Sequence, residues 1–283
     1  MPAIAMSKAV VPPSRDPKRI NVYARLSSYP ELDRPVAAIR IALSRQRPRL
    51  QCPAYVAALE HAFWQEYPPF VTQLYATLQQ TAASSGQWLA ASLMTAAEQK
   101  GERARMLWSL AAVAARADER QVLKRQACDQ STHVLAYLKL LDLVFPGAID
   151  AQFRSELEQL SPGYSTTQKL PRSTERRNTP VQQLLQINFA LIREAIHNVN
   201  LRPCLLGYAP SQNKPRVNRV MDALLKDVLN HIAGTAAFIE RVARDTEANM
   251  FRALFCKNLD DFNRATSEEP IEYSYAHRFG IYP

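Results

Sequence analysis

Glycine is scarce in this chain, seven residues of 283, and no segment alternates β-branched and polar residues between hairpin signals. A β-sheet is therefore not expected. Cysteine is equally thin. Cys52, Cys128, Cys204 and Cys256 are scattered without a C-x-x-C pair, which excludes a zinc knuckle or a disulfide framework and fits a reducing cytoplasm. Long apolar runs are missing too. The opening MPAIAMSKAVVPPSRDPKR holds no stretch suited to a signal peptide or a membrane span, so no membrane association is expected. No nucleophile elbow, phosphate loop, zinc-protease motif or solenoid-length repeat is found.

Alanine, leucine, glutamine and arginine are plentiful, and each favours helix. Hydrophobic residues make up 47% and charged residues 22%, a globular composition. The net charge of +9 admits an anionic partner. Its excess falls largely in apparent loops, around Lys169, Arg172, Arg176 and Arg177 and around Lys214, Arg216 and Arg219. No aromatic residues interleave with these charges, so nucleic-acid binding is not expected and a solvated basic surface is the reading.

Breakers and periodicity divide the chain. Residues 1–30 are proline-rich and expected to form a flexible leader, with a single helical domain over 31–283. A helix is expected over 35–46, stopped by Pro48, and another opens at Pro53 and ends at Pro68-Pro69. Helix resumes over 70–83, then runs almost unbroken from Gln87 to Val144. That run is too long for one globular helix and is divided near Ala117-Asp118, with Asp118 as N-cap. A short helix is expected at 148–160, long ones at 181–201 and 216–244, and a shorter one before the aromatic tail EYSYAHRFGIYP. The four core helices are thus 87–117, 118–145, 181–201 and 216–244.

Polar residues on apolar stripes carry the functional information, because burying them costs energy unless they are paired. The stripe His133, Tyr137, Leu140, Leu141, Val144 extends backward to Asp129 and Gln130, beside the imidazole. The stripe Ile187, Ala190, Glu194, His197, Leu201 contains an E-x-x-H pair. The stripe from Val217 to Val242 contains His231, with Asp227 one turn before it. His61 and His277 lie elsewhere. One core histidine is ordinarily a polar group satisfied by its neighbour. Three buried acid–imidazole pairs would be a costly core, and a shared metal would remove that cost. Glu98, or Glu102, is the candidate carboxylate of a fourth helix, with two solvated glutamates as the alternative. Tyr137, one turn beyond His133, is a candidate for shaping a substrate pocket or for radical transfer, with core packing the plainer role.

The ordered positions Glu98, Asp129-Gln130-Ser131-Thr132-His133, Glu194 and Asp227-Val228-Leu229-Asn230-His231 resemble the ferritin-like carboxylate bundles. The likeness is to the ribonucleotide reductase small-subunit and arylamine N-oxygenase branches and covers about 87–244. It implies an all-α fold, a ferritin-like four-helix core with additional helices. It also implies a non-haem iron site, or manganese in its place, that oxidises a small-molecule substrate with dioxygen. Glu98, Asp129, His133, Glu194, His197, Asp227 and His231 would be the ligands or their supports. The resemblance leaves room for an electron donor or reductase and for a homodimer. The chain departs from the pattern at Gln130 and Val228, where the family carries glutamates. Competing readings are a helical scaffold with buried acid–histidine hydrogen bonds, a haem-oxygenase-like iron oxidase, and a metal-free enzyme using histidine as general base.

Overall fold

The computed structural model describes residues 21–46, 48–171 and 177–267. The expected tail and His277 lie outside these residues, as do residues 1–20 and Arg172 and Arg176 of the basic loop.

Among the described residues the chain is helical and has no strand, only an isolated bridge between Ala114 and Arg177. The helices are α1 (Val22–Ser27), α2 (Arg34–Ser44), α3 (Pro53–Glu66), α4 (Gln73–Ala82), α5 (Gly86–Val113), α6 (Ala117–Val144), α7 (Ala151–Glu158), α8 (Val181–Tyr208), α9 (Lys214–Arg244) and α10 (Ala248–Ser267). No described helix is long and apolar enough to cross a membrane.

Two long hairpins, α5–α6 and α8–α9, dominate the packing and meet chiefly through α6 and α9. Helices α2, α3 and α10 cover one end. The apolar interior falls into two clusters. On α5 the first ends at Ala97 and the second begins at Leu107; on α6 the boundary lies between Cys128 and Val134. Lys100, Gln130 and His133 occupy these gaps and are buried. The bundle therefore has a polar layer at mid-height.

Several boundaries differ from expectation for identifiable reasons. The flexible leader was expected to reach residue 30, but Asn21 caps α1 through its side chain and Leu26 is wholly buried against the core. Asp118 is not an N-cap. It sits inside the first turn of α6, accepts from the Glu119 amide (2.9 Å) and pairs with Arg241. Helix α8 does not stop near 201 but passes through Pro203 to Tyr208. Proline removes one backbone hydrogen bond there, and anchors on the preceding turn hold the helix. Asn200 bonds Gln79 (3.3 Å) and Arg34 (3.3 Å), while Arg202 pairs with Asp222 (2.7 Å) and stacks its guanidinium on Tyr23 at 4.1 Å.

Gly101 stands in the middle of α5 because the Leu160 carbonyl lies where its Cβ would be. Arg105 also donates to that carbonyl (3.2 Å), so α5 carries the segment that follows α7. At the far end, Glu240 of α9 accepts from the Tyr55 amide (2.9 Å) in the first turn of α3, whose Pro53 has no amide hydrogen to satisfy.

Candidate functional site

Helices α6 and α9 run antiparallel, with Asp118 against Arg241 at one end and Lys139 across from Arg216 and Arg219 at the other. Both carry the spacing D-x-x-x-H. Antiparallel packing places each aspartate opposite the other helix's histidine. His133 accordingly donates from Nε2 to Asp227 Oδ2 (3.2 Å), and His231 from Nε2 to Asp129 Oδ2 (2.9 Å). The pairing expected within each helix is thus exchanged between helices. The two imidazoles are neighbours, with centroids 6.1 Å apart.

A carboxylate only accepts, so Nε2 of each ring donates. Both Nδ1 atoms are buried without a partner. Burial, above all, pushes the His133 pKa down. The bond to Asp227 opposes that, and the Lys100 charge adds to it. The Asp227 carboxyl is held below its usual range despite its own partial burial, through the bond from His133 and the charges around it.

Glu194 is engaged differently. Its Oε2 pairs with Lys100 and with Arg103 (3.1 Å), both on α5. Burial pushes this carboxyl up, yet the two cations and His133 outweigh it and hold it down at about 2. Burial in turn lowers the Lys100 ammonium to about 8, against the attraction of Glu194. Lys100 also lies 5.9 Å from the Tyr137 ring centre. The inward-facing charge of α5 is therefore Lys100; Glu98 is half-buried and Glu102 exposed. Lys100 was legible by the same rule that found the histidines. It lies on the stripe Met94, Ala97, Gly101, Ala104, an ammonium among apolar and small residues.

His197 faces a further partner that periodicity did not reveal. Its Nε2 bonds the Tyr75 hydroxyl (3.0 Å), and the two rings stack at 5.6 Å and 13°. Burial, then the Arg193 charge, lower its pKa to about 3, so the ring is neutral. The stripe Ala190, Glu194, His197, Leu201 forms one wall of a cavity of about 610 Å³. Helix α4 supplies Tyr75, Leu78 and Gln79 to it, α5 supplies Lys100 and Arg103, and α6 supplies Tyr137. Burial and then the Glu194 charge raise the Tyr137 phenol above its ordinary value, so it remains protonated.

The residues do not fit the paired-iron or manganese centre that the resemblance implies. Glu194 is held by two cations, and His197 is bonded to Tyr75 in the cavity wall. Asp129 and Asp227 lie on the Nε2 side of the histidines, away from Nδ1. The charges near His133 include the Lys100 ammonium, which repels a second cation, as well as Glu194, which Lys100 and Arg103 already engage. Among the described residues no group of three or more His, Cys, Asp or Glu side chains is placed to hold a metal. No family model, curated protein or solved structure matches the chain.

Proposed function

We propose that the protein binds a small molecule with an apolar body and an anionic head group in the cavity between α4, α5, α6 and α8. One observation carries this reading. Lys100 and Arg103, both bonded to Glu194, and Arg193 stand on the wall of a partly open cavity otherwise lined largely by apolar groups, where Glu194 is the one lining carboxylate. A volume of about 610 Å³ suits a small organic ligand. Planar guanidinium groups favour a carboxylate or a similar oxyanion. Asn198 Oδ1 and Glu194 Oε1 are buried on the same wall without a donor, which favours a ligand that also carries a hydroxyl or amino group.

Displacement of a fluorescent aromatic sulfonate by a series of aromatic and medium-chain carboxylates tests the proposal. Carboxylates displace the dye, whereas their methyl esters are at least ~10-fold weaker, the loss of one charge-assisted hydrogen bond. Filling the cavity by Ala190→Phe abolishes displacement, and Arg103→Gln weakens it. Esters binding as well as acids would refute the anionic head. Unchanged binding by Ala190→Phe would place the dye elsewhere and remove the cavity from consideration.

A further inference from the structure

A second concave site lies on the opposite side of the polar layer, in the groove between α6 and α9. Its volume is about 310 Å³. Ala136 on α6 and Ala223 on α9 both line it, and their small side chains leave the seam between the helices unfilled. Lys139, Arg216 and Arg219 converge at one end. His133 and Asp227 close the other, six to eleven residues along the helices, a distance of roughly 9–16 Å at the helical rise.

What sets the groove apart is the gathering of three cations on one wall. Many arginines of the chain are paired or stacked, including Arg34, Arg40, Arg103, Arg116, Arg154, Arg202, Arg241 and Arg264. Lys139, Arg216 and Arg219 have no carboxylate or ring partner among the described residues. Three like charges gathered without a counter-ion repel one another, and an anion between them relieves that repulsion. At the far end the buried His133 ring forms part of the wall, bonded through Nε2 to Asp227.

We infer that this groove binds a phosphorylated small molecule, with the phosphate held by Lys139, Arg216 and Arg219 and the remainder lying over Ala136 and Ala223 toward His133. Arginine forks and a lysine point charge together match the tetrahedral oxygens of phosphate. The short length of the groove suits a compact metabolite. A continuous nucleic-acid backbone would need the charges to track along an open face.

Inorganic phosphate and pyrophosphate, titrated calorimetrically into the full-length protein at low ionic strength, test the inference. Pyrophosphate is expected to bind one to one and more tightly than phosphate, and to weaken as salt is added. Arg216→Gln/Arg219→Gln should lose at least ~10-fold in affinity, since each charge-assisted contact removed is worth about 1.4 kcal/mol or more. The double variant should keep its circular dichroism spectrum, because both side chains are exposed. Arg252→Gln on α10 serves as a remote charge control and should bind as the parent does. In NMR spectra, pyrophosphate should perturb the His133 ring nitrogens more than those of His197. Absence of binding at millimolar pyrophosphate overturns the inference, as does equal binding by the double variant. Binding to oligonucleotides or anionic vesicles without binding to pyrophosphate overturns it as well.

Discussion

The bundle buries its ionisable groups in two different ways, one in each of two seams. Between α5 and α8, Glu194 and Lys100 are almost sealed, with side-chain exposures of 10% and 5%, and Arg103 shares the same oxygen. Between α6 and α9, the histidines are sealed but their acids stay wet, with Asp227 38% and Asp129 34% exposed. The first seam is a closed ion cluster, in which removing one member strands another. The second is a pair of hydrogen bonds between buried imidazoles and hydrated carboxylates, where loss of an acid admits water. Energetic consequences should follow this division and not the number of contacts.

The strongest way to break the comparison is Lys100→Met. It leaves Glu194 buried with Arg103 as its only cation, and breaking a buried pair costs about 3–5 kcal/mol. Because Arg103 remains, a loss of about 3 kcal/mol is expected in urea unfolding. The double variant Lys100→Met/Glu194→Gln should be more stable than the sum of the two single losses allows, since only Arg103, the most hydrated of the three, is left unpaired. A loss from Lys100→Met below about 1 kcal/mol would class the pair with exposed ones. The seam has a corollary for metals. Protein produced with iron and manganese supplied is expected to carry substoichiometric metal by elemental analysis, and a chelator should leave its unfolding temperature unchanged. One or two tightly held ions per chain would restore the iron centre suggested by the motif spacing.

Titration sharpens the contrast next. Glu194 has a folded pKa held to about 2, below the ordinary value of 4.5. Its contribution is therefore full above the ordinary value and is lost as pH falls through about 2. Lys100 behaves in the opposite sense. Its pKa falls from 10.5 to about 8 on folding, so between these values the unfolded chain binds more protons and stability rises with pH. His197 likewise has a folded pKa of about 3 against 6.5, so stability falls as pH drops through that interval. Each group contributes a slope of at most about 1.4 kcal/mol per pH unit. His197→Phe should flatten the decline between pH 6.5 and 3, and Lys100→Met should remove the alkaline rise. An alkaline rise that persists in Lys100→Met would assign it to another group.

Much of the fold was legible because helix signals are local. Pro53, Pro68-Pro69, Ser84-Ser85 and Pro146-Gly147 lie at or near observed ends, and the stripes of α6 and α9 are mostly buried, with Tyr137, Val220 and Val242 only partly so. The passage of α8 through Pro203 was not, because contacts from Gln79, Arg34, Asp222 and Tyr23 hold that turn, and no local pattern encodes them. The candidate site divides in the same way. That His133, Glu194, His197 and His231 are inward-facing follows from period alone. What each one meets depends on helix direction and on register across seams. Antiparallel packing exchanged the Asp–His partners, α5 brought a lysine to Glu194, and α4 brought Tyr75 to His197. Lys100 had a visible signal, an ammonium on an apolar stripe. Tyr75 had none that set it apart from other aromatic residues of amphipathic helices.

The exchange of partners between α6 and α9 offers the finest test, because two pairings of the same four residues make opposite predictions. Double-mutant cycles in urea unfolding resolve them. His133 with Asp227 should show a coupling of about 0.5–1.5 kcal/mol, as befits one hydrogen bond to a hydrated carboxylate. His133 with Asp129, one turn apart on the same helix, should show about 0.3 kcal/mol or less, the level of an exposed pair on one helix. His231 should mirror this, coupling to Asp129 and not to Asp227. If the larger coupling instead falls within each helix, the antiparallel register of α6 on α9 is wrong. The groove holding Lys139, Arg216 and Arg219 would then be wrong with it, since the same register brings those three cations together.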